Sequence, residues 1–148
     1  VVFGAHPIII DYVNENKLPY EVHDRHGLSH HDLLQLMGKS AVYLGNSISD
    51  GMPNTLLEAI IMGAFPIQSN PGKVTAEIIT EGENGFLIEN PNNDNAISNL
   101  IIKVLQQPEW LQKAFEINQK IAKERLDYAV NQQKIVALYH QIENDTCE

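Results

Sequence analysis

The sequence has few basic residues, a single cysteine and no long hydrophobic run, and each shortage excludes a class of protein. Ten lysines and arginines stand against 19 acidic residues, a formal net charge of −9 that argues against nonspecific binding to nucleic acid or anionic membranes. No window holds about 18 consecutive apolar residues, and no basic-then-apolar leader opens the chain. The lone Cys147 cannot form an internal disulfide and suits a reducing compartment. We therefore expect a cytoplasmic protein with no nucleic-acid partner and no membrane span.

Length and segment order predict one α/β domain over residues 1–148. A chain of 148 residues buries about two thirds of its unfolded surface, enough for a core without metals or disulfides. The predicted strands are Val1–Ala5, Tyr20–His23, Ser40–Gly45, Phe65–Ser69 and Phe86–Ile88. Four helices are predicted between them: Ile8–Val13, a second helix that is capped by Ser29, a third over about Pro53–Met62 and a fourth over about Val74–Ile79. The segment from Glu81 to Gly85 is predicted to be a turn. From Asp94 onward only helical spacing remains, with Pro108 separating two of these helices and a last helix over roughly Tyr128 to Ile142. This alternation predicts a mainly parallel, Rossmann-like sheet between two helical layers, followed by C-terminal helices.

The most informative segment runs from Ser47 to Ala59, directly after a predicted buried strand. Open α/β sheets bind ligands at the carboxyl ends of their strands. Gly51 allows the backbone to approach a ligand closely, and Pro53 fits the first turn of a helix. The free N–H groups of Asn54 and Thr55 then favour an anion, because unpaired amides and the helix dipole act together. The segment therefore predicts an anion site, with phosphate as the obvious candidate.

Two acidic residues flank this helix start, and their spacing leaves more than one interpretation open. Glu58 is the one charged residue between Leu56 and Met62, so it either contacts a ligand or belongs with Asn54 to an ordinary solvent-facing surface. Asp50 either contacts a ligand or simply favours the helix dipole. The spacing places the two carboxylates roughly 8 to 10 Å apart, which suits two contacts on one extended ligand better than the paired acids of a glycosidase.

This segment resembles the donor-binding half of retaining glycosyltransferases of the GT-B fold, called glycosyltransferase group 1 or family four. Their pattern has two glutamates separated by seven residues, with a glycine directly after the first and a proline two residues further on. The run from Asp50 to Ala59 keeps that frame, with Asp50 at the position of the first glutamate. Further matches follow in the same order, and the last helix resembles the family's closing helix. The matching positions are Gly63, Pro66, Ile67, Gly72, Glu77, Ile78, Ile79, Gly82, Asn84, Gly85, Phe86, Leu87 and the helix from Tyr128 to Tyr139.

The resemblance implies a role for each residue of the segment. Glu58 is expected to bind the ribose hydroxyls of a nucleotide-sugar, and Asp50, in the place of a longer glutamate, to act as the catalytic residue near the sugar. The amides from Gly51 through Met52, Pro53 and Asn54 to Thr55 are expected to contact sugar and phosphate. The region from His23 to Leu28 is expected to face the nucleobase, with His26 as the contributor. Lys73 is either near the phosphates or simply solvated.

The resemblance also implies that the chain is part of a longer protein. Val1–Ala5 matches the second strand of the family's donor domain, so the first strand unit, with its basic loop, is expected upstream. The acceptor-binding N-terminal domain is expected there as well. The implied activity is hexosyl transfer with retention, in bacterial-type polysaccharide or glycoconjugate biosynthesis, and residues 1–148 alone are expected to be inactive.

No cofactor is expected, and the nucleotide-sugar is treated as a substrate. His30 and His31 are adjacent and cannot share one helix face, and no cysteine joins them, so a zinc site is not predicted. Two rival functions stay open: a nucleotide-sugar epimerase of the same fold, and a noncatalytic nucleotide-binding or interaction module.

Overall fold

The computed structural model describes residues 1–24 and 26–145, which form two compact units, Val1–Leu36 and Met37–Glu148. Cys147 lies outside the described residues. The single-domain assignment for residues 1–148 stays a prediction.

The first unit contains helix α1, Pro7–Glu15, and ends within helix α2, His30–Lys39. Ser29 starts α2 as predicted, because its carbonyl accepts from the Leu33 N–H at 3.0 Å and its hydroxyl accepts from the Asp32 N–H at 3.1 Å. The two predicted strands of this unit are wrong in extent. Only Val2 and Val22 form a parallel bridge, and both predicted segments are too exposed to be held as regular strands without a wider sheet.

The second unit is built on a parallel sheet of three strands in the order β1-β2-β3. These strands are β1 Val42–Gly45, β2 Phe65–Ser69 and β3 Phe86–Ile88. Val42 pairs with Phe65, Gly45 with Gln68, and Ile67 with Phe86. Helix α3, Asn54–Met62, connects β1 to β2, and it ends at Gly63 in the left-handed conformation with φ 95°.

Helices cover the sheet on two faces, and every residue of β2 is buried as a result. Phe65 and Ile67 belong to a core cluster shared with β3, helix α4 (Asp94–Leu105) and helix α5 (Pro108–Ile121). On the alternate face, Tyr43 of β1 reaches Thr55 of α3. The α/β fold class with a parallel sheet is therefore confirmed. The predicted separation of two helices at Pro108 is also confirmed, since Pro108 is the first residue of α5.

The connection from β2 to β3 differs from the prediction in one element. The expected helix from Val74 to Ile79 is a single 3₁₀ turn, Thr75–Glu77. The Thr75 hydroxyl is engaged by the end of β2, at 3.1 Å from the Ser69 carbonyl and 2.6 Å from Asn70 Oδ1, which holds the segment in a turn. The predicted turn from Glu81 to Gly85 is present, with Gly82 at φ 76°.

The chain continues past α5 through a wide helical turn, Ala122–Leu126, into helix α6, Tyr128–Asp145. The predicted final helix is thus confirmed. In the part of the chain that the structure describes, no helix is long and apolar enough to cross a membrane.

Candidate functional site

The loops that follow β1 and β2 lie at the same edge of the sheet, because the strands are parallel. The Ser47 N–H donates to Ser69 Oγ at 2.8 Å and joins the two strand ends. Further along, a Cβ added to Gly72 would lie 3.1 Å from the Asp50 carbonyl oxygen, so only glycine allows the two loops to approach this closely. The structure therefore brings the Asp50 loop and the Gly72 turn into direct contact.

Helix α3 begins at Asn54, so the placement of Pro53 inside its first turn is wrong by one position. Pro53 is the N-cap, because its ψ of 130° is extended and its carbonyl accepts from the Leu56 N–H at 3.1 Å. Asn54 and Thr55 are then the first two helical residues, whose N–H groups have no partner within a helix. No side chain of the described residues caps α3. The amides thus remain available to an anion at the sheet edge.

Asp50 is exposed in the loop before α3, and its Oδ1 accepts from the N–H of Gly51 at 2.8 Å. Glu58 lies one turn after Asn54 and is half-buried. Met52 and Pro53 are half-buried between them, whereas Gly51 and Asn54 are exposed. The candidate residues from Asp50 to Glu58 thus occupy the loop before α3 and the first turns of that helix.

Tyr43 is a functional candidate that the sequence reasoning missed. Its side chain is 8% exposed, and its hydroxyl lies 3.0 Å from Thr55 Oγ1. Burial raises the pKa of Tyr43, the bond to Thr55 opposes that rise, and the carboxylates of Asp50 and Glu58 add to it. Both carboxylates therefore act on the same hydroxyl. The sequence did contain one signal for it, a tyrosine within a segment that is predicted to be a buried strand, because a buried hydroxyl needs a hydrogen-bond partner.

Beneath α3 the sheet is polar where a hydrophobic core would be expected. Gln68 is 1% exposed, and its Oε1 has no hydrogen-bond partner among the described residues. A Cβ on the paired residue Gly45 would collide with the Gln68 amide and lie 2.7 Å from the Tyr43 hydroxyl. We call Tyr43, Thr55 and Gln68 the tyrosine cluster. The spacing of these residues in the sequence does not predict the tyrosine cluster, because the register between β1 and β2 is what brings Gln68 close to Tyr43.

Lys73 and His26, two further predicted site residues, lie in different units. Lys73 has a left-handed backbone, φ 61°, and lines a cavity of about 740 Å³ that no other predicted site residue lines. His26 lies in the first unit, where its N–H donates to Asp24 Oδ1 at 2.7 Å. The preceding Arg25, inside the expected nucleobase region, lies outside the described residues. The roles expected of Lys73 and His26 stay predictions.

Among residues 1–24 and 26–145, no group of three or more His, Cys, Asp or Glu side chains is arranged to hold a metal ion. His31 is engaged by Gln35, with 2.9 Å between Nε2 atoms. Metal independence stays a prediction.

A family model described as "Glycosyl transferases group 1" matches residues 10–141 of the chain. A search of the curated proteins found no significant match.

Solved structures of similar fold cover most of the chain. Sucrose-phosphate synthase from Thermosynechococcus elongatus is 22% identical with a TM-score of 0.75, over 93% of this chain and 34% of that one. Anabaena HepE in complex with UDP-glucose is 22% identical with a TM-score of 0.71, over 90% and 36%. The C-terminal domain of the group 1 glycosyl transferase LpcC from Francisella tularensis is 17% identical with a TM-score of 0.67, over 84% and 67%.

These likenesses show the fold, which is that of the C-terminal domain in GT-B proteins. The chain spans about a third of the length of the synthase and of HepE.

Proposed function

The chain belongs to the glycosyl transferases group 1 family, and from that premise we propose that it is the donor-binding domain of a retaining hexosyltransferase. The substrate is a nucleotide-sugar, and the acceptor belongs to bacterial-type polysaccharide or glycoconjugate biosynthesis. The protein acts in the cytoplasm. Residues 1–148 are one part of a longer chain, whose upstream part supplies the first strand unit and the acceptor-binding domain.

One observation carries the proposal: the uncapped start of α3 lies at the carboxyl edge of the parallel sheet, with Asp50 and Glu58 on either side. Uncapped amides and the helix dipole favour a phosphate there. The negative charges of Asp50 and Glu58 both help to raise the pKa of Tyr43, whose hydroxyl lies 3.0 Å from Thr55 Oγ1 at the helix start. HepE, a protein of similar fold, has been solved with UDP and with UDP-glucose, which supports a nucleotide-sugar as the ligand.

In the proposed site, Glu58 binds the ribose hydroxyls and Asp50 contacts the sugar near the reacting carbon. The amides from Gly51 to Thr55, by way of Met52, Pro53 and Asn54, surround sugar and phosphate. His26 contributes to the nucleobase site, and Lys73 lies near the phosphates.

The chemistry that these groups support is stabilisation of a departing diphosphate. The bond from the anomeric carbon to the diphosphate oxygen breaks, a bond from that carbon to the acceptor's oxygen forms on the same face of the sugar, and the acceptor's hydroxyl proton passes to the departing diphosphate. Negative charge grows on the leaving oxygen, and fixed amide dipoles stabilise it without reorganising. No side-chain nucleophile is required.

Product analysis on the complete natural protein tests this proposal. The protein is incubated with UDP-, GDP- and ADP-sugars and a panel of saccharide acceptors, and products are read by mass spectrometry and by NMR of the new anomeric bond. We expect a glycoside of unchanged configuration, loss of transfer in Asp50→Asn, and normal transfer in the exposed control Glu83→Ala. Interconversion of donor sugars without an acceptor would identify an epimerase. Unchanged donor together with tight binding of a protein partner would identify a noncatalytic module.

Chelation tests the absence of a metal. Because amide donors hold the diphosphate, EDTA should leave nucleotide affinity unchanged. Binding that vanished with EDTA and returned with manganese would contradict the metal-independent assignment.

A further inference from the structure

Tyr43 connects the sheet to the start of α3 through a single hydrogen bond. Its hydroxyl lies 3.0 Å from the hydroxyl of Thr55, the second residue of the helix. The ring is buried in β1, and Thr55 is half-buried. Any displacement of the Thr55 side chain therefore breaks a partly buried hydrogen bond and leaves a buried polar group without its partner.

The same hydroxyl borders a second, unpaired acceptor. Gln68 Oε1 is buried without a hydrogen-bond partner among the described residues, and it projects into the space above Gly45 that Tyr43 also borders. Native proteins rarely leave a buried side-chain oxygen unpaired, and such atoms often mark a functional site. The absence of a side chain at Gly45 creates the room that Tyr43 and Gln68 share.

Counting protons in the tyrosine cluster gives two arrangements. Tyr43 and Thr55 carry one hydroxyl proton each. When Thr55 donates to Tyr43, the Tyr43 proton turns away from Thr55. When Tyr43 donates to Thr55, the Thr55 proton is released toward the start of α3, where the uncapped amides already favour an anion.

We propose that Tyr43 is a positioning residue of the donor site, which fixes the Thr55 hydroxyl so that it donates to the diphosphate of the bound nucleotide. The inference rests on the proposed function, because it requires phosphate at the start of α3. Ligand binding selects the arrangement in which Tyr43 donates to Thr55 and Thr55 donates to the phosphate. Without ligand, either of the two hydroxyls can donate to the other.

The surroundings keep the phenol of Tyr43 protonated, as a hydrogen-bond donor to Thr55 must be. Burial raises its pKa, and the negative charges of Asp50 and Glu58 act in the same direction, so the phenol stays protonated and remains a donor through the neutral range. A phenylalanine would fill the same volume in β1 without a hydroxyl. Tyr43→Phe is therefore a minimal change that removes the donor and retains the packing.

Titration calorimetry on the complete natural protein tests the proposal. The probe is whichever of UDP, GDP and ADP the unmodified protein binds most tightly. Tyr43→Phe should weaken binding about 3- to 10-fold, the loss of one hydrogen bond. Thr55→Val should weaken it at least as much, and adding Tyr43→Phe to Thr55→Val should cost nothing further. Thr55→Ser, which keeps the hydroxyl, should bind within about 2-fold of the unmodified protein. Tyr128→Phe, at a side chain 79% exposed, is the matched control and should have no effect.

The outcomes separate this inference from the proposed function. A lower melting temperature of Tyr43→Phe with unchanged affinity would make Tyr43 merely structural and overturn the inference, as would additive losses in the double variant. If Glu58→Ala weakens binding but Tyr43→Phe does not, the inference alone fails. If the unmodified protein binds none of the three nucleotides, the proposed function fails and takes this inference with it.

Discussion

Two polar clusters in the second unit differ in how completely their hydrogen bonds are made. Asn84 and Asn118 are each 1% exposed and form a closed network, which we call the asparagine pair. Asn84 Nδ2 donates to Asn118 Oδ1 and to the Ile78 carbonyl, both at 2.8 Å, and Asn118 Nδ2 donates to the Asn84 carbonyl at 2.9 Å. The Thr80 N–H donates to Asn84 Oδ1 at 2.6 Å.

The tyrosine cluster is as well buried at Tyr43 and Gln68, yet it is incomplete. Gln68 Oε1 has no partner among the described residues, and the helix start beside it is uncapped. The closed network holds the turn before β3 against α5, whereas the incomplete cluster leaves a buried acceptor, Gln68 Oε1, without a donor. In this unit the satisfied polar groups therefore stabilise the fold, and the unsatisfied oxygen lies near Tyr43, which bonds to the start of α3.

The largest expected effect is the loss of sugar transfer when residues 1–148, which contain the incomplete cluster, are separated from the rest of the protein. Residues 1–148 alone should transfer no sugar, because holding donor and acceptor together with water excluded is worth about 7 to 11 kcal/mol of the barrier. Nucleotide affinity should be weak, about millimolar. Mass spectrometry after incubation with nucleotide-sugars and acceptors checks this, with the complete natural protein as the positive control. Robust product from residues 1–148 would show that the site needs no further domain.

The second effect concerns the asparagine pair and should appear in stability alone. Asn118→Ala removes two hydrogen bonds and leaves Asn84 partly unpaired in the core, so the free energy of unfolding should fall by about 2 to 4 kcal/mol. Urea unfolding measures the loss. Nucleotide affinity of the folded variant should not change. A loss of affinity at full stability would contradict the division between the two clusters.

Glu58→Ala should have the opposite pattern to Asn118→Ala, with a loss of nucleotide affinity and no loss of fold. It should weaken nucleoside diphosphate binding by about 1.5 to 3 kcal/mol, the range for losing hydrogen bonds to a charged group, and leave the fold intact. Calorimetric titration measures the affinity and circular dichroism the fold, with Glu83→Ala as the exposed control. Unchanged affinity in a folded Glu58→Ala protein would remove Glu58 from the site.

The smallest expected effect is a pH dependence of the free energy of unfolding that is caused by the titration of Tyr43. Its folded pKa is raised above the ordinary 10.0, so the folded state holds the proton more tightly than the unfolded chain. Stability from this group is fully present below about pH 10 and is lost as pH rises from there through the folded pKa. Unfolding free energies should therefore fall more steeply above pH 10 in the unmodified protein than in Tyr43→Phe. Parallel pH profiles would show that burial at Tyr43 does not matter energetically.

Much of the site could be predicted from sequence because its signals are local. The glycine at position 51 and the proline at 53 place a helix start after a buried strand, and the structure moves that start by only one residue. Ser29 at α2 and Pro108 at α5 are equally local signals, and both boundaries were predicted from them.

The predictions failed where an element depends on distant neighbours. The segments around Val2 and Val22 have strand-like composition but form only one bridge, since a strand needs partners along its length. The segment after Val74 has helical spacing, yet contacts of Thr75 with the end of β2 limit it to one turn.

Local signals in the sequence were sufficient to predict the three strands of the second unit and the helix start at the sheet edge, because these follow from caps, breakers and periodicity over a few residues. Which side chains meet depends on the tertiary fold. The pairing of Tyr43 with Thr55, the position of Gln68 over Gly45 and the contact of Gly72 with Asp50 depend on strand register and helix placement, which join residues far apart in the chain.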